Sequence, residues 1–347
     1  YRVGAVVLQK ERMLVSFEPR VLIRYTLLES SSPTILRFRP FLAFRSVNEL
    51  TQENSIASSN MDECENGRFN RMYANFPNLY MQFNKAVQYI HNPQWYKGIE
   101  YIKERERGYD YKEDLLVPGY FELPIKKGES IIFSAGITEC QISTLKSTWK
   151  KELGRRISRE DMFSTLKNSA GQFYKREGDK CYLLAGYPWF QADARTTFFS
   201  VASCTLDIDR PEYWDAIINK TAIPEVLDFM NGRMENIKMT GMDEPDVLLW
   251  FIRAIQKFAH KYSLREAADL YGQLCADIIT FYRKQNHPRA LLHRNGPIWV
   301  DGIKRPATWM NATENGWPIT PRTGYVVEIN ALWYNAMLFT AEMLREM

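Results

Sequence analysis

The chain has 347 residues, which is longer than a single hydrophobic core usually allows. Of these residues, 45% are apolar and 25% are charged, a composition typical of a globular protein. Its 45 basic and 41 acidic residues give a net charge of +4, which is too balanced for a nucleic-acid-binding protein. The aromatic share of 14% exceeds what packing requires and suits a protein that stacks on flat ligand faces.

Residues 1–136 are predicted to form an N-terminal antiparallel β-sandwich domain. Runs such as LIRYTLLES, TILRFRPFLAF and ESIIFSAG combine β-branched and aromatic residues in short alternating segments, and turn-forming clusters separate them. Several strands at this spacing indicate a sandwich. The segment that begins at Tyr1 already alternates like a strand, so we expect the start of this domain to be missing.

Residues 137–347 have the period of helices instead. In DVLLWFIRAIQKFAHKY the residues Leu248, Phe251 and Ile255 share one face, and two later segments repeat this pattern. Helices follow helices with no strand signal between them. Because the last helix reaches Met347 without a cap, we expect the end of this second domain to be missing too.

A multidomain β + α chain with serial helices after a sandwich is consistent with an α/α toroid, whose inner helices direct their N-terminal loops at one shared pocket. A helical solenoid would give a similar pattern, although the sequence has no repeat of fixed length. Polar, aromatic loops precede three of the helices: LAGYPWFQADARTT, MTGMDEPD and PATWMNATENGWPITPRTGYVVE. In a toroid these loops would meet at one rim.

The cysteines and histidines favour no metal site and no cofactor. The five cysteines are odd in number, far apart and without a CxxC pair, which favours reduced, mostly buried thiols in a cytosolic protein. The four histidines have no metal-ligand spacing. No apolar run approaches the roughly 18 residues that a membrane span needs, and no signal peptide is visible at Tyr1. We therefore expect a cytoplasmic protein with no membrane partner, and its oligomeric state stays open.

The loops and the last helix carry specific strings in a fixed order. They are AGYPWF at 185–190, Arg195 with Thr196 and Thr197, TWMN at 308–311, TPR at 320–322 and VEINALWYNA at 327–336. With these strings the chain resembles the glycogen debranching, amylo-α-1,6-glucosidase family, most strongly over 183–344. The resemblance implies a β-sandwich joined to an (α/α)6 barrel of the six-hairpin glycosidase type. It also implies inverting hydrolysis of α-1,6-linked glucose at branch points of glycogen or a related α-glucan.

The residue types in these loops agree with a carbohydrate pocket. A glucose ring has an apolar face and a rim of hydroxyls, so aromatic side chains beside arginines and carboxylates form a natural lining. The alternative is that the aromatics only fill the rim of a barrel. The predicted substrate-binding residues are Tyr187, Trp189, Phe190, Asp193, Arg195, Thr196, Asp246, Trp309, Arg322 and Glu328.

Two positions depart from the family's pattern. The resemblance places the general acid, an aspartate, where this chain has Asn311, and an amide cannot give up a proton at neutral pH. The family has Arg-Asp-Thr where this chain has Arg195, Thr196 and Thr197, so a carboxylate that would grip the terminal sugar is absent. Asp193 could replace it, or could be an exposed loop residue or a helix N-cap.

Glu328 and Asp246 stand at predicted helix starts, where a carboxylate is favoured by the helix dipole. Each is therefore either a sugar contact or a structural residue of the helix N-terminus, and capping is slightly favoured for Asp246. The resemblance places the family's catalytic base after the VEINALWYN helix, beyond Met347.

Two functions are consistent with these observations. The first is a glycogen debranching-type glycoside hydrolase. The second is a non-catalytic α-glucan-binding relative, in which Asn311 and Thr196 leave a pocket that holds sugar without cleaving it. A scaffold with no affinity for sugar is a third possibility.

Overall fold

The computed structural model describes residues 1–187 and 189–347. Its contacts divide into two compact units, Tyr1–Arg156 and Ile157–Met347. The first unit is built mainly from antiparallel strands and the second mainly from helices. The predicted order, a β-rich part followed by a helical part, is confirmed.

The strands of the first unit form two antiparallel sheets. They are β1 (Arg2–Val3), β2 (Val6–Leu14), β3 (Arg20–Glu29), β4 (Thr34–Phe38), β5 (Asp62–Cys64), β6 (Gly67–Asn70), β7 (Leu79–Phe83), β8 (Gln88–Glu100), β9 (Lys112–Ile125) and β10 (Ser130–Gly136). One sheet has the order β1-β2-β3-β10-β7-β6-β5, and the other has the order β4-β9-β8. A short helix, α1 (Ile102–Glu106), lies between β8 and β9.

An aromatic cluster joins the two sheets. Phe83 of β7 is fully buried, and its ring centroid lies 5.0 Å from that of Phe133 on β10 in the same sheet. The rings of Phe38 on β4 and Phe121 on β9, in the other sheet, each lie 5.2 Å from it. Such tilted contacts add to the burial of large apolar area. Both sheets therefore share one apolar core.

Helix α2 (Leu145–Gly154) packs with the strands of the first unit. Its Trp149 is buried against Leu22 and Ile132, and the guanidinium of Arg24 lies over the Trp149 ring at 4.6 Å from its centroid. The chain thus changes from strands to helices after residue 136, whereas the first compact unit ends at Arg156.

The second unit contains helices, with short hairpins in some of the segments between them. The helices are α3 (Met162–Ala170), α4 (Ala194–Thr205), α5 (Pro211–Trp214), which continues through a π-helical segment (Asp215–Ala222), α6 (Ile223–Met230), α7 (Val247–Lys261), α8 (Leu264–Arg283) and α9 (Val327–Glu346). The strands are β11 (Tyr174–Glu177), β12 (Lys180–Gly186), β13 (Phe190–Ala192), β14 (Ala290–Leu292), β15 (Ile298–Val300), β16 (Thr313–Glu314) and β17 (Trp317–Pro318). The expectation of helices without intervening strands is therefore wrong. These strands lie between α3 and α4 and between α8 and α9. They pair locally and are mostly too short to produce a clear alternation of apolar and polar residues.

Helix α7 lies at the centre of the helical packing and contacts α4, α8 and α9. Its predicted apolar face is confirmed, since Leu248, Phe251 and Ile255 are fully buried. Helix α8 packs on α9, where the rings of Tyr282 and Trp333 are 5.7 Å apart. In the ranges that the structure describes, no helix combines the length and the apolar character needed to cross a membrane.

We expect Phe83→Ala to lower the free energy of unfolding by about 3 to 5 kcal/mol, because it removes a ring with partners in both sheets and leaves a cavity. Urea unfolding measures this change. Ile56→Ala is the control, since Ile56 is 78% exposed and its loss should cost less than about 0.5 kcal/mol. Equal effects of the two substitutions would contradict the shared core.

Candidate functional site

The three predicted loops each end at the N-terminus of a helix. The hairpin of β12 and β13 leads into α4, residues 240–246 lead into α7, and residues 308–326 lead into α9. Helix N-termini carry unpaired backbone N–H groups and a partial positive charge, so they suit the binding of polar groups. The side chains around these entrances form the candidate site.

Asp193 caps the entrance to α4. Its Oδ1 accepts hydrogen bonds from the backbone N–H and the hydroxyl of Thr196, both at 2.8 Å. Asp193 also pairs with Thr240 in an isolated parallel bridge, and the N–H of Ala194 donates to the Thr240 carbonyl at 2.9 Å. In the structure Asp193 is therefore the N-cap of α4. A contact of Asp193 or Thr196 with sugar stays a prediction.

Arg195 and Asp246 form a buried ion pair between the entrances of α4 and α7. The Arg195 Nε donates to Asp246 Oδ2 at 2.9 Å, and Nη2 donates to Oδ1 at 2.8 Å. Trp250 Nε1 donates to the same carboxylate at 3.1 Å, and Nη2 of Arg195 also contacts Glu244. Asp246 stands at the N-cap of α7 but makes no side-chain capping bond. The capping role that the sequence favours for it is wrong, because Arg195 and Trp250 occupy its carboxylate.

Two carboxylates, those of Asp246 and Glu244, share the single Arg195 guanidinium, and the pKa of Glu244 is shifted. Burial raises the pKa of Glu244, and the Asp246 charge raises it further, although Arg195 works in the opposite direction. The pKa of Arg195 is raised although burial disfavours its charge, because Asp246 and Glu244 hold it in the charged form. Burial therefore favours a bound proton on Glu244.

A second ion pair joins the entrance of α7 to the segment that leads into TWMN. Arg305 donates to Asp243 through both terminal nitrogens, at 2.6 and 2.7 Å. Arg289 donates to the backbone carbonyls of Arg305 and Pro306, at 3.1 and 2.6 Å. The loop before α7 and the start of the loop before α9 therefore meet directly.

His287 is buried beside this ion pair. Its ring lies flat on that of Tyr282, with centroids 5.0 Å apart and an interplanar angle of 13°, and its Nδ1 accepts from the N–H of Arg289 at 3.2 Å. Burial lowers the pKa of His287 to about 4. The imidazole is therefore neutral at pH 7.

The loop before α9 holds a second cluster of predicted residues. Arg322 Nη2 donates to Glu328 Oε2 at 2.5 Å, and its Nη1 lies 3.5 Å from the sulfur of Met310. A Cβ at Gly302 would overlap the backbone of Arg322, so the close approach fixes a glycine there. Asn311, next to Met310, is exposed.

Two side chains of α9 that the sequence analysis did not single out fasten it to β15 and its hairpin. Asn330 accepts from the N–H of Ile298 at 2.7 Å and donates to the Ile298 carbonyl at 3.0 Å. Trp333 Nε1 donates to the Gly296 carbonyl at 3.1 Å. An asparagine within an apolar helical stretch is the signal that could have identified this role, since a partly buried amide needs partners.

The predicted stacking residues are at the surface. Trp189, Phe190 and Trp309 are 62%, 65% and 61% exposed, and Tyr187 is 36% exposed. These side chains therefore do not fill an apolar core. Their exposure argues against the alternative that the aromatics only fill the rim of a barrel. Pro188 of the AGYPWF string lies outside the described residues.

The structure groups the predicted site residues into three sets. Asp193 pairs with Thr196, Arg195 with Asp246, and Arg322 with Glu328. Within the part of the chain that the structure describes, no hydrogen bond joins Asn311 to any of these sets. In the same ranges, no group of three or more His, Cys, Asp and Glu side chains is placed to hold a metal ion.

Comparison with protein families gives two matches. Residues 1–132 match the family described as glycogen debranching enzyme N terminal. Residues 165–347, more than half of the chain, match the family described as amylo-alpha-1,6-glucosidase. Among curated proteins, none matches the chain significantly.

We expect Asp246→Ala to destabilise the helical unit by about 3 to 5 kcal/mol, because it leaves the buried Arg195 charge without its main partner. Urea unfolding monitored by tryptophan fluorescence measures the change. Asp228→Ala is the control, because it removes the partner of Arg233, which is 51% exposed, and should cost less than about 1 kcal/mol. A loss of similar size in both variants would contradict the dominant role of the Arg195 pair.

The depressed pKa of His287 predicts a loss of stability in acid. The unfolded chain binds a proton at this position below its ordinary pKa of about 6.5, whereas the folded chain binds one only near pH 4. The contribution of neutral His287 is complete above pH 6.5 and is lost as the pH falls towards 4, by roughly 3 kcal/mol in total. We expect the free energy of unfolding of His287→Gln, measured in urea at pH 7 and 4.5, to depend less on pH than that of the wild type.

His260→Gln is the matched control for this prediction, since His260 is an exposed residue of α7. It should retain the pH dependence of the wild type. If His287→Gln kept the same dependence as His260→Gln, burial of a neutral imidazole would not be the source of the acid sensitivity.

Proposed function

Because the chain belongs to the amylo-alpha-1,6-glucosidase family, we propose that it acts on the α-1,6-linked glucose at branch points of glycogen or a related α-glucan, by inverting hydrolysis. The glucan is its partner, and no cofactor takes part. In this proposal the helices belong to an (α/α)6 toroid, and the strands of the N-terminal unit form a β-sandwich.

The meeting of helix entrances inside the matched region is the observation that carries this proposal. The Arg195 and Asp246 pair joins the entrances of α4 and α7, and the Arg305 and Asp243 pair joins the entrance of α7 to the segment before TWMN. A glycosidase whose pocket is built from helix entrances needs such convergence, because its ligand contacts come from several loops at once.

The exposed aromatics provide the apolar part of the proposed sugar site. Trp189, Phe190 and Trp309 present flat rings to solvent at two of the three entrances, and Tyr187 lies next to them in the chain. Large exposed aromatic surface is unfavourable unless a partner covers it, and the apolar face of a glucose ring is a suitable partner.

The arginines have different roles in this proposal. Arg195 binds Asp246 and Glu244 through Nε and Nη2, so it positions the loops, and Nη1 is the group left for a contact with sugar. Arg322 is 30% exposed and bound to Glu328, which is 27% exposed, so this pair offers both a donor and an acceptor to sugar hydroxyls.

Inverting hydrolysis requires one carboxylic acid to protonate the leaving oxygen and one carboxylate to activate water, about 6.5 to 9.5 Å apart. The resemblance assigns the first role to the position of Asn311 and the second to a residue after α9. The Asn311 amide can donate a hydrogen bond to the leaving oxygen but transfers no proton. Hydrolysis without that proton transfer is slower by a factor on the order of 10² to 10⁴.

Asn311 also favours a second function, the binding of α-glucan without turnover. The exposed rings and the Arg322 and Glu328 pair do not depend on a proton donor, so affinity for sugar would survive while catalysis is lost. The two functions differ in whether any hydrolysis accompanies binding.

We expect Asn311→Asp, introduced into the full-length protein, to raise the rate of glucose release from a branched limit dextrin by a factor on the order of 10² to 10⁴, because it restores a proton donor. The affinity for maltooligosaccharides should change little. Asn315→Asp is the control, since Asn315 lies in the same loop with a φ of 50°, a conformation that aspartate also tolerates.

If the wild type and Asn311→Asp both bind sugar but release no glucose, hydrolysis is rejected and the binding function is supported. A gain of activity in Asn315→Asp as large as that in Asn311→Asp would show that the added charge, and not the position of the donor, causes the effect. Titration with maltooligosaccharides that gives no signal in any variant would reject both functions.

A further inference from the structure

A cavity of about 400 Å³ lies beside the C-terminal end of α8, against the hairpin of β14 and β15. This volume is within the range of about 300 to 1,000 Å³ that is common for small-molecule sites. The side chains that matter for its chemistry are His287, Arg289, Trp299, Asp301, Lys304 and Arg305. The predicted glucan-binding residues are absent from the lining of this cavity, so a ligand bound there would occupy a site separate from the proposed glucan site.

The lining of the cavity is predominantly cationic. Arg289 and Lys304 contribute two positive charges, Asp301 contributes one negative charge, and Arg305 is paired with Asp243. Asp301 Oδ1 accepts from the N–H of Ile303 at 2.9 Å, so this carboxylate stabilises its own turn. Lys304 makes no ion pair with any of the residues that the structure describes. A cavity with such an excess of positive charge favours an anionic ligand.

One buried donor beside the cavity, Nη1 of Arg289, has no partner among the described residues. Buried donors are almost always paired in native proteins, so this atom favours a ligand with acceptor oxygens.

The two guanidinium groups at the cavity crowd each other. Burial lowers the pKa of Arg289 and the nearby charge of Arg305 lowers it further, whereas the charges of Asp243 and Glu244 raise it. Asp243 neutralises Arg305 through a bidentate contact, whereas the Arg289 contacts are to backbone carbonyls. An anion bound in the cavity beside Arg289 would stabilise its charge.

Trp299 gives the cavity a flat apolar wall. The residue is 36% exposed and belongs to β15, where it pairs with Leu291 of β14. An indole face suits the apolar side of a pyranose ring, and a neighbouring group of cations suits a doubly charged oxyanion. The cavity thus combines the two features that a phosphorylated sugar requires.

We propose that this cavity binds a hexose phosphomonoester, with the phosphate held by Arg289 and Lys304 and the sugar ring placed against Trp299. A phosphomonoester carries three terminal oxygens and close to two negative charges at pH 7, which matches the donors present better than a carboxylate with two oxygens and one charge. The site is independent of glucan hydrolysis, since it uses neither Asn311 nor the exposed aromatics.

Isothermal titration of the protein with glucose 6-phosphate, inorganic phosphate and glucose tests this proposal. Glucose 6-phosphate should bind more tightly than either of the other two, because only it contacts both the cations and the indole. Its affinity should fall at least fivefold in Lys304→Glu and in Trp299→Ala. Arg294→Glu is the matched control, because it changes the charge equally at an exposed position of the same hairpin outside the cavity lining, and it should reduce the affinity less than twofold.

Absence of binding by glucose 6-phosphate at millimolar concentration would overturn the proposal. Equal losses in Lys304→Glu and Arg294→Glu would also overturn it, since they would indicate non-specific attraction to a basic surface. Glucose that binds as tightly as glucose 6-phosphate would exclude recognition of the phosphate. Circular dichroism of each variant confirms that the fold is retained.

The phosphomonoester could be a free sugar phosphate or a phosphate carried by a glucan chain. Competition between glucose 6-phosphate and a maltooligosaccharide phosphorylated at one glucose distinguishes these sources. Either ligand supports the proposal if the unphosphorylated maltooligosaccharide does not displace it. Displacement by the unphosphorylated chain at equal concentration would contradict it.

Discussion

The buried Arg195 guanidinium is the constraint on which the candidate site depends. A charge removed from water must be paired, and the partners of Arg195 come from the entrance of another helix, at Asp246 and Glu244. The ion pair therefore fixes the start of α4 against the start of α7, and the neighbouring Asp243 extends the connection to Arg305. The exposed aromatics Trp189, Phe190 and Trp309 lie close to Arg195 and Arg305 in the chain.

Much of the fold could be predicted because its signals are local. The apolar face of α7, with Leu248, Phe251 and Ile255, follows from helical period alone, and the structure buries all three side chains. The hairpins between helices were missed because strands as short as β13 have no readable alternation. The Arg195 and Asp246 pair was also missed, because its members are 51 positions apart and nothing local couples them.

The family strings identified positions but not what the side chains do there. Asp193 was open between a sugar contact, an exposed loop residue and an N-cap, and only the hydrogen bonds to Thr196 show that it caps α4. Asn330 and Trp333 lie inside the most specific string, yet their bonds to Ile298 and Gly296 depend on a hairpin that the sequence analysis did not expect. Two residues of this string thus dock α9 onto β15 and its hairpin.

The two ion pairs that join the entrances differ in their access to solvent. Arg195 and Asp246 are almost completely buried, whereas the Arg305 side chain is 53% exposed. Dissolved ions screen exposed charges over about 8 Å at physiological ionic strength and affect buried charges much less. A higher salt concentration would therefore weaken the ion pair of Arg305 with Asp243, while the ion pair of Arg195 with Asp246 keeps its strength. The segment that carries Trp309 and Asn311 would gain mobility against an otherwise rigid frame.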